Sequence, residues 1–574
     1  MRCFIYAPGF RLSVVVALLL GSALLAYPKA PPPTIALAGL VTSDNEGPME
    51  GVLVTAKREG GNISVTVISD DQGRYVFPAG RLQPGKHTLN IRAIGYQLSS
   101  QPTTTIESNK ASHVDIKLVK VKDVASQLTG AEWMVSIPGS ELQKRALFRC
   151  DQCHSLDTVV NSTYDAEGWL SALPRMQFFW LGNSTITQPS ASAHPPKAVP
   201  VDPELAKYLS SINLSGRTSL PYELKTFPRP RGADTKVIIT EYELPRSGSM
   251  PHDVAVDHQG AIWYTDFRSP DIGKLDPGSG KVKEWPLPLL KPGLPQWSLA
   301  VELDTEGNLW IPRFYQGCAA TKFDVKTEKF ETLSAPAEYN DDRASCSQGS
   351  VSTNGMIWLR DSHRDLMLEL NPKTGGVRAF DSYPFGTPKY TGPSHLFYFG
   401  IDEKFGGGQA LHDTYGIAVD SKGDPIYCDM GGSNIAVLDH TNGQVSVYPT
   451  PTPNSAPRRG TIDFAGRFWF GEWMASQVGM FDPKTKEIKE WRPPTPWSGL
   501  YRAAADKDGE VWSGGMSTDY VYRLNPATGE WREYLLPTLG GEIRDIKVDD
   551  SGKSVKVWVP LVHAGIIAEI EPIE

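Results

Sequence analysis

The chain has 574 residues, too many for one hydrophobic core, and its 40% hydrophobic and 21% charged content is that of a globular protein of several domains. A formal net charge of −8 without a long single-sign run leaves a nucleic-acid or anionic-membrane partner without electrostatic support. The 53 Gly, 46 Pro and 15 Trp favour many short strands joined by turns, and so a mainly β protein.

Arg2 and Arg11 precede an apolar run from Leu12 to Ala26, and Pro28 and Pro31 to Pro33 follow. This pattern predicts a signal peptide over residues 1–27 and a periplasmic or otherwise exported protein. An uncleaved N-terminal anchor is the alternative, and would be the only membrane attachment. Export permits disulfides. Cys318 with Cys346 is the expected pair, since both sit in loops of neighbouring repeats while Cys428 sits in a strand pattern; three reduced thiols are the alternative.

Residues 34–121 alternate apolar and polar in short runs, as in Gly51-Val-Leu-Val-Thr-Ala-Lys and His87-Thr-Leu-Asn-Ile-Arg-Ala, which predicts a β-sandwich of about seven strands. The fragments Asp71-Gln-Gly-Arg-Tyr-Val-Phe, Pro84-Gly-Lys-His and Ala93-Ile-Gly-Tyr resemble the carboxypeptidase regulatory-like family. The resemblance implies a non-catalytic module for stability or docking.

Residues 126–230 change to a helical pattern. Ser140-Glu-Leu-Gln-Lys-Arg-Ala-Leu-Phe runs into Cys150, a second helix starts behind Asp165, and a third has Asp202 as N-cap and Pro203 in its first turn. A module of three helices is expected. At its centre lies Cys150-Asp-Gln-Cys153-His154: two thiols at this spacing can add to the vinyl groups of haem, with the next His beneath the iron. A redox pair or half a zinc site are the other readings, but neither a second C-x-x-C nor a βαβ unit accompanies the motif. With Glu167-Gly-Trp, Leu173-Pro-Arg-Met176 and Leu205-Ala-Lys-Tyr-Leu, the motif resembles a cytochrome c domain, particularly those of quinohaemoprotein amine dehydrogenases. The resemblance implies covalent haem c on Cys150 and Cys153, iron ligated by His154, and Met176 as sixth ligand with His194 as competitor. This chain has one haem motif and no evident cross-linked quinone subunit, so the electron donor is unassigned.

From 236 to 574 the sequence repeats. A D-x-x-G type turn and a strand centred on an aromatic recur at Trp263, Trp310, Trp358, Tyr427, Trp469, Trp512 and Trp558. Seven repeats predict a seven-bladed β-propeller, the last blade closed by Thr240-Glu-Tyr-Glu-Leu244. A long insertion with His395 and His412 separates the third and fourth repeats, and loops of such length are commonly functional.

The residue opening each innermost strand is expected at the channel mouth: His252, Trp297, Gln348, Tyr415, Arg459, Arg502 and Arg544. A second slot after the Trp strand holds Asp266, Arg313, Asp361, Asp429 and Glu472. Three Arg suit a small polar or anionic substrate and should keep Asp266 and Glu472 ionised, able to hold Mg²⁺. His252 is then the general base. The bland reading is a polar, hydrated mouth.

The runs Met250-Pro-His-Asp-Val-Ala-Val, Ala261-Ile-Trp-Tyr-Thr-Asp and Arg467-Phe-Trp-Phe-Gly-Glu-Trp resemble the streptogramin B lyase (virginiamycin B lyase) family, and more loosely gluconolactonase-like propellers. That family implies a His and a Glu working with Mg²⁺ to eliminate an ester. Glu472 fits the Glu, but Arg459 stands in the His slot of its blade and cannot act as a base. The expected function is therefore electron transfer or redox catalysis, with the propeller binding a substrate or a redox partner protein. A metal-assisted lyase or hydrolase carrying an accessory haem and a non-catalytic binding scaffold are the alternatives.

Overall fold

The computed structural model describes residues 35–573, apart from 109, 153, 179–200, 216–220, 295, 341–345, 362–363, 385–386 and 388–411. The first domain is a sandwich. Strand Ile35–Ser43 alternates buried and half-buried residues and pairs with Arg74–Pro78 and Ile116–Lys120 in one sheet. Leu53–Arg58, Ile63–Ile68, Gly85–Arg92 and Thr103–Ile106 form the facing one. Leu37, Val54, Tyr75, Phe77 and Leu89 fill the space between. Seven strands have four residues or more; three further pieces of two or three residues were too short to leave a periodic signal.

Among the described residues the helical module has five α-helices rather than three: α1 (Gly130–Ser136), α2 (Glu141–Phe148), α3 (Leu156–Val160), α4 (Ala166–Phe178) and α5 (Pro203–Ser211). The two missed, α1 and α3, span seven and five residues, too few for a 3.6-residue period to show. A capping box signals α1 instead, with Thr129 accepting from Glu132 N–H while Glu132 reaches back to Thr129 N–H. Asp165 and Asp202 cap α4 and α5 as expected, accepting from the amides of Gly168 and Glu204.

Seven four-stranded antiparallel meanders follow among the described residues. In four of them the Asp of the turn accepts the indole N–H of the Trp six residues on: Asp257 with Trp263, Asp304 with Trp310, Asp463 with Trp469 and Asp506 with Trp512, all at 2.8–3.0 Å. This bond is why the Asp and Trp recur together. The inner strand Pro251–Val256 of the first meander packs against Lys547–Asp549 and Lys556–Leu561 of the last, so the propeller ring closes. Cys318 and Cys346 form a disulfide between the second and third meanders.

Closure uses the strand Val237–Glu243, which pairs with Ile566–Pro572 from Val237↔Pro572 to Glu243↔Ile566. Its other edge pairs with Ile63–Ile68 of the sandwich, Ile239 opposite Thr66 and Tyr242 opposite Ile63. One eight-stranded sheet therefore runs from the last meander into the sandwich, and an edge that would otherwise offer unpaired N–H and C=O groups is covered.

Candidate functional site

The helical module sits on one face of the propeller. Its core of Trp133, Leu147, Phe148, Leu173 and Leu209 is continuous with Met430, Trp473, Met474, Tyr501 and Met516 of the ring. Phe148, the last residue of α2, stacks on Trp473 at 5.5 Å and meets Trp497 edge-on at 5.3 Å. The amide of Ala131 donates to Ser517 O at 2.8 Å. Asp151, inside the Cys-Asp-Gln-Cys-His turn, is buried against the same face and bonds Ser517. Burial pushes its carboxyl well above the usual range, and Glu542 and Asp519 add repulsion.

Among the candidate haem residues, Cys150 and Met176 are both half-buried and border that one apolar cluster, while His154 follows Cys150 by a single turn. The imidazole Nδ1 of His154 donates to Ser155 O at 3.2 Å, which leaves Nε2 as the atom free to take a metal. Cys153 and His194 lie outside the described residues. Cys150 and the Nε2 of His154, beside this apolar cluster, are donors of the types that a covalently attached haem uses.

Inside the ring, Arg459 grips Asp253 through both terminal nitrogens at 2.6 and 2.5 Å, and His252 Nδ1 donates to Asp253 at 2.7 Å. Arg502 donates to Asp545 at 2.6 Å, Asp545 accepts Val254 N–H at 3.0 Å, and Glu302 lies 3.5 Å from both Arg502 and Lys547. Burial alone would raise Asp253, but Arg459 and His252 override it and hold the carboxyl well below the ordinary range. Burial lowers His252, so the imidazole is neutral at pH 7, its Nδ1–H fixed by Asp253 and its Nε2 an acceptor.

Asp253, Asp545 and Glu302 were missed by the sequence reading, and register explains the first two. Four residues before the turn Asp of the first, fifth, sixth and seventh blades lie Asp253, Arg459, Arg502 and Asp545; five before lie His252, Arg458, Tyr501 and Arg544. The expected slot mixed these two positions. The inner strands shift register between Pro251 and Val254, Pro457 and Gly460, and Leu500 and Ala503, so simple alternation fails at this spot. Counting from the turn Asp would have aligned them. Nor do the three Arg face an anionic ligand: Arg459 holds Asp253, Arg502 holds Asp545, and Arg544 holds Glu542 at 2.7 Å.

His252 and Arg459 are thus brought together, through Asp253, whereas Asp266 and Glu472 are not brought to them. Asp266 accepts from the amides of Met250, Arg268 and Ser269 and from Arg246, and so latches the loop of its own blade. Asp429 does the same with His412, Asn434 and the amides of Asp413 and Gly432. Glu472 is bonded by Gln477, and burial together with the neighbouring charge of Glu490 pushes it up to about 8. The expectation that clustered Arg depress Asp266 and Glu472 is not met: burial raises both, and Arg459, Arg502 and Arg544 are held by other carboxylates. Glu472 and Asp266 stand in different blades, each bonded within its own, and among the described residues no group of three or more His, Cys, Asp or Glu gathers as a Mg²⁺ site would need. His395 lies outside the described residues.

Residues 36–119 match the carboxypeptidase regulatory-like domain. No curated protein matches the chain. Among solved structures, virginiamycin B lyase from Staphylococcus aureus is similar at 18% identity over 59% of this chain and 100% of that one, with a TM-score of 0.48. A streptogramin B lyase is similar at 21% identity over 59% of this chain and 99% of that one, TM-score 0.48. The extracellular domain of a one-component system from B. thetaiotaomicron is similar at 13% identity over 56% of this chain and 40% of that one, TM-score 0.41. The strand topology, not these distant likenesses, defines the propeller.

Proposed function

We propose that this chain is an exported c-type haem protein in which a seven-bladed propeller binds a substrate or redox partner beneath its haem module. One observation carries this reading: Asp151 of the Cys150 to His154 motif and Phe148 just before it are seated on the propeller face, and Tyr501 of the same apolar cluster lies 6.4 Å, ring to ring, from His252. Haem c would supply one-electron chemistry. Cys150 and Cys153 would hold it covalently, and His154 and Met176 would ligate it. Phe148, Trp473 and Tyr501 exclude water between the two modules, and His252 Nε2 is the one neutral base in the ionic ring able to accept a proton from a molecule bound there. The Cys318–Cys346 disulfide supports an oxidising compartment.

The test is production in a host that exports the chain and attaches haem c. The expected result is one haem per chain that survives denaturation, lost when Cys150 and Cys153 are changed to Ala. A chain that folds fully and takes up no haem overturns the proposal. A second reading, a binding scaffold without chemistry, is favoured by the ionic ring, whose Arg459, Arg502 and Arg544 are already neutralised internally. Reduction of the haem by an added substrate, unaffected by chelators, would decide against it.

A further inference from the structure

A cavity of about 220 Å³ lies where the sandwich, the helical module and the propeller meet. Ile91 and Ala93 of the sandwich, Phe227 and Pro228 of the linker, and Leu535 and Pro537 of the propeller give it apolar walls. Pockets at domain junctions are common ligand sites, and an apolar cavity of about 150 Å³ already accepts benzene.

Its polar lining is nearly all spoken for. Glu132 accepts from Thr129 N–H, Thr129 hydroxyl and Phe227 N–H. Arg92 is held by Asp519 and the carbonyls of Leu536 and Thr538. Arg229 is held by Glu46 and Glu50 O, and Gln127 bonds Gly95 N–H and Tyr96 O. Tyr520 differs. Its side chain lines the cavity, the residue is 7% exposed, and among the described residues its hydroxyl has no hydrogen-bond partner.

Unlike the fully buried polar atoms that lack a partner, this hydroxyl stays accessible from the cavity and offers one hydrogen bond to what enters it. The lining cations are each matched by a carboxylate and the Glu132 oxygens are taken by three donors, so an anion would find no counter-ion and a cation no open acceptor. We propose that this cavity binds a small neutral molecule, ring-sized and mostly apolar, whose single oxygen hydrogen-bonds Tyr520. Because all three modules contribute walls, occupancy stabilises them as one assembly.

The test uses the full chain with p-cresol as probe and benzoate as its charged counterpart, followed by titration calorimetry and thermal unfolding. Saturable binding of p-cresol with a dissociation constant of about 1 mM or tighter is expected, with a raised melting temperature and no binding of benzoate. Tyr520→Phe should weaken binding about 5- to 10-fold, the loss of one hydrogen bond. Ala93→Leu, which fills the space, should abolish it. If circular dichroism shows that Ala93→Leu is misfolded, Tyr520→Phe alone decides. No saturable binding of p-cresol, binding untouched by these variants, or equal binding of benzoate would each overturn the proposal.

Discussion

Arg459 and Asp253 lie 206 positions apart in the chain, in the fifth and first meanders, yet form a two-point ion pair across the propeller channel with both side chains buried. Such a pair ties opposite sides of a ring that otherwise holds together through neighbours.

Removing one partner leaves a buried charge. Arg459→Met should destabilise the chain by about 3–5 kcal/mol in urea unfolding, and the double variant Arg459→Met with Asp253→Leu should recover much of that loss. Because the folded-state pKa of Asp253 is depressed, the stability this pair contributes is complete above the ordinary Asp range and fades only as pH falls through it. The deficit of Arg459→Met should accordingly be constant between pH 5 and pH 8, roughly the plateau for a depressed carboxylate. A deficit that vanished at pH 8 would contradict the assignment.

Glu472 works with the opposite sign. Its pKa is raised to about 8, so the folded state keeps a proton that the unfolded chain gives up near its ordinary value. Stability should fall as pH rises from the ordinary Glu range towards 8. Glu472→Gln, neutral at every pH, should be near-neutral in its effect at low pH and stabilising at pH 8, read as a melting-temperature difference that grows with pH. A growing loss instead would show an ionised Glu472.

The third meander lacks the Asp that its neighbours use. Ser352 stands at that turn, and Trp358, six residues on, has a buried indole N–H without a partner among the described residues. Ser352→Asp should supply the missing acceptor and stabilise the chain by about 1 kcal/mol, measured by chemical unfolding. The same change should do nothing for a Trp358→Phe variant.

Haem ligation is open to direct measurement. Met176→Ala should alter the low-spin spectrum of the haem-loaded chain and lower its reduction potential, because a thioether ligand favours the ferrous state. His194→Ala should change neither. The reverse pattern would reassign the sixth ligand to His194.

Periodicity alone determined the architecture: alternating runs marked the sandwich, and the repeated Asp and Trp marked the meanders, because each is a local signal tied to a hydrogen bond or a buried face six residues or fewer away. The disulfide was legible too, since repeat phase placed Cys318 and Cys346 in adjacent loops. What tertiary structure alone decided is everything that depends on distant partners. Asp253 is unremarkable in sequence until Arg459 arrives from four blades away, and the pKa of Glu472 is set by burial and Glu490 rather than by any Arg. The strand Val237–Glu243 could be assigned to the last blade by counting, but its second bond, to Ile63–Ile68, follows from where the sandwich folds back. Electrostatics and edge pairing act through space, so one-dimensional order could not place the helical module on the propeller face that carries Trp473, Tyr501 and Met516.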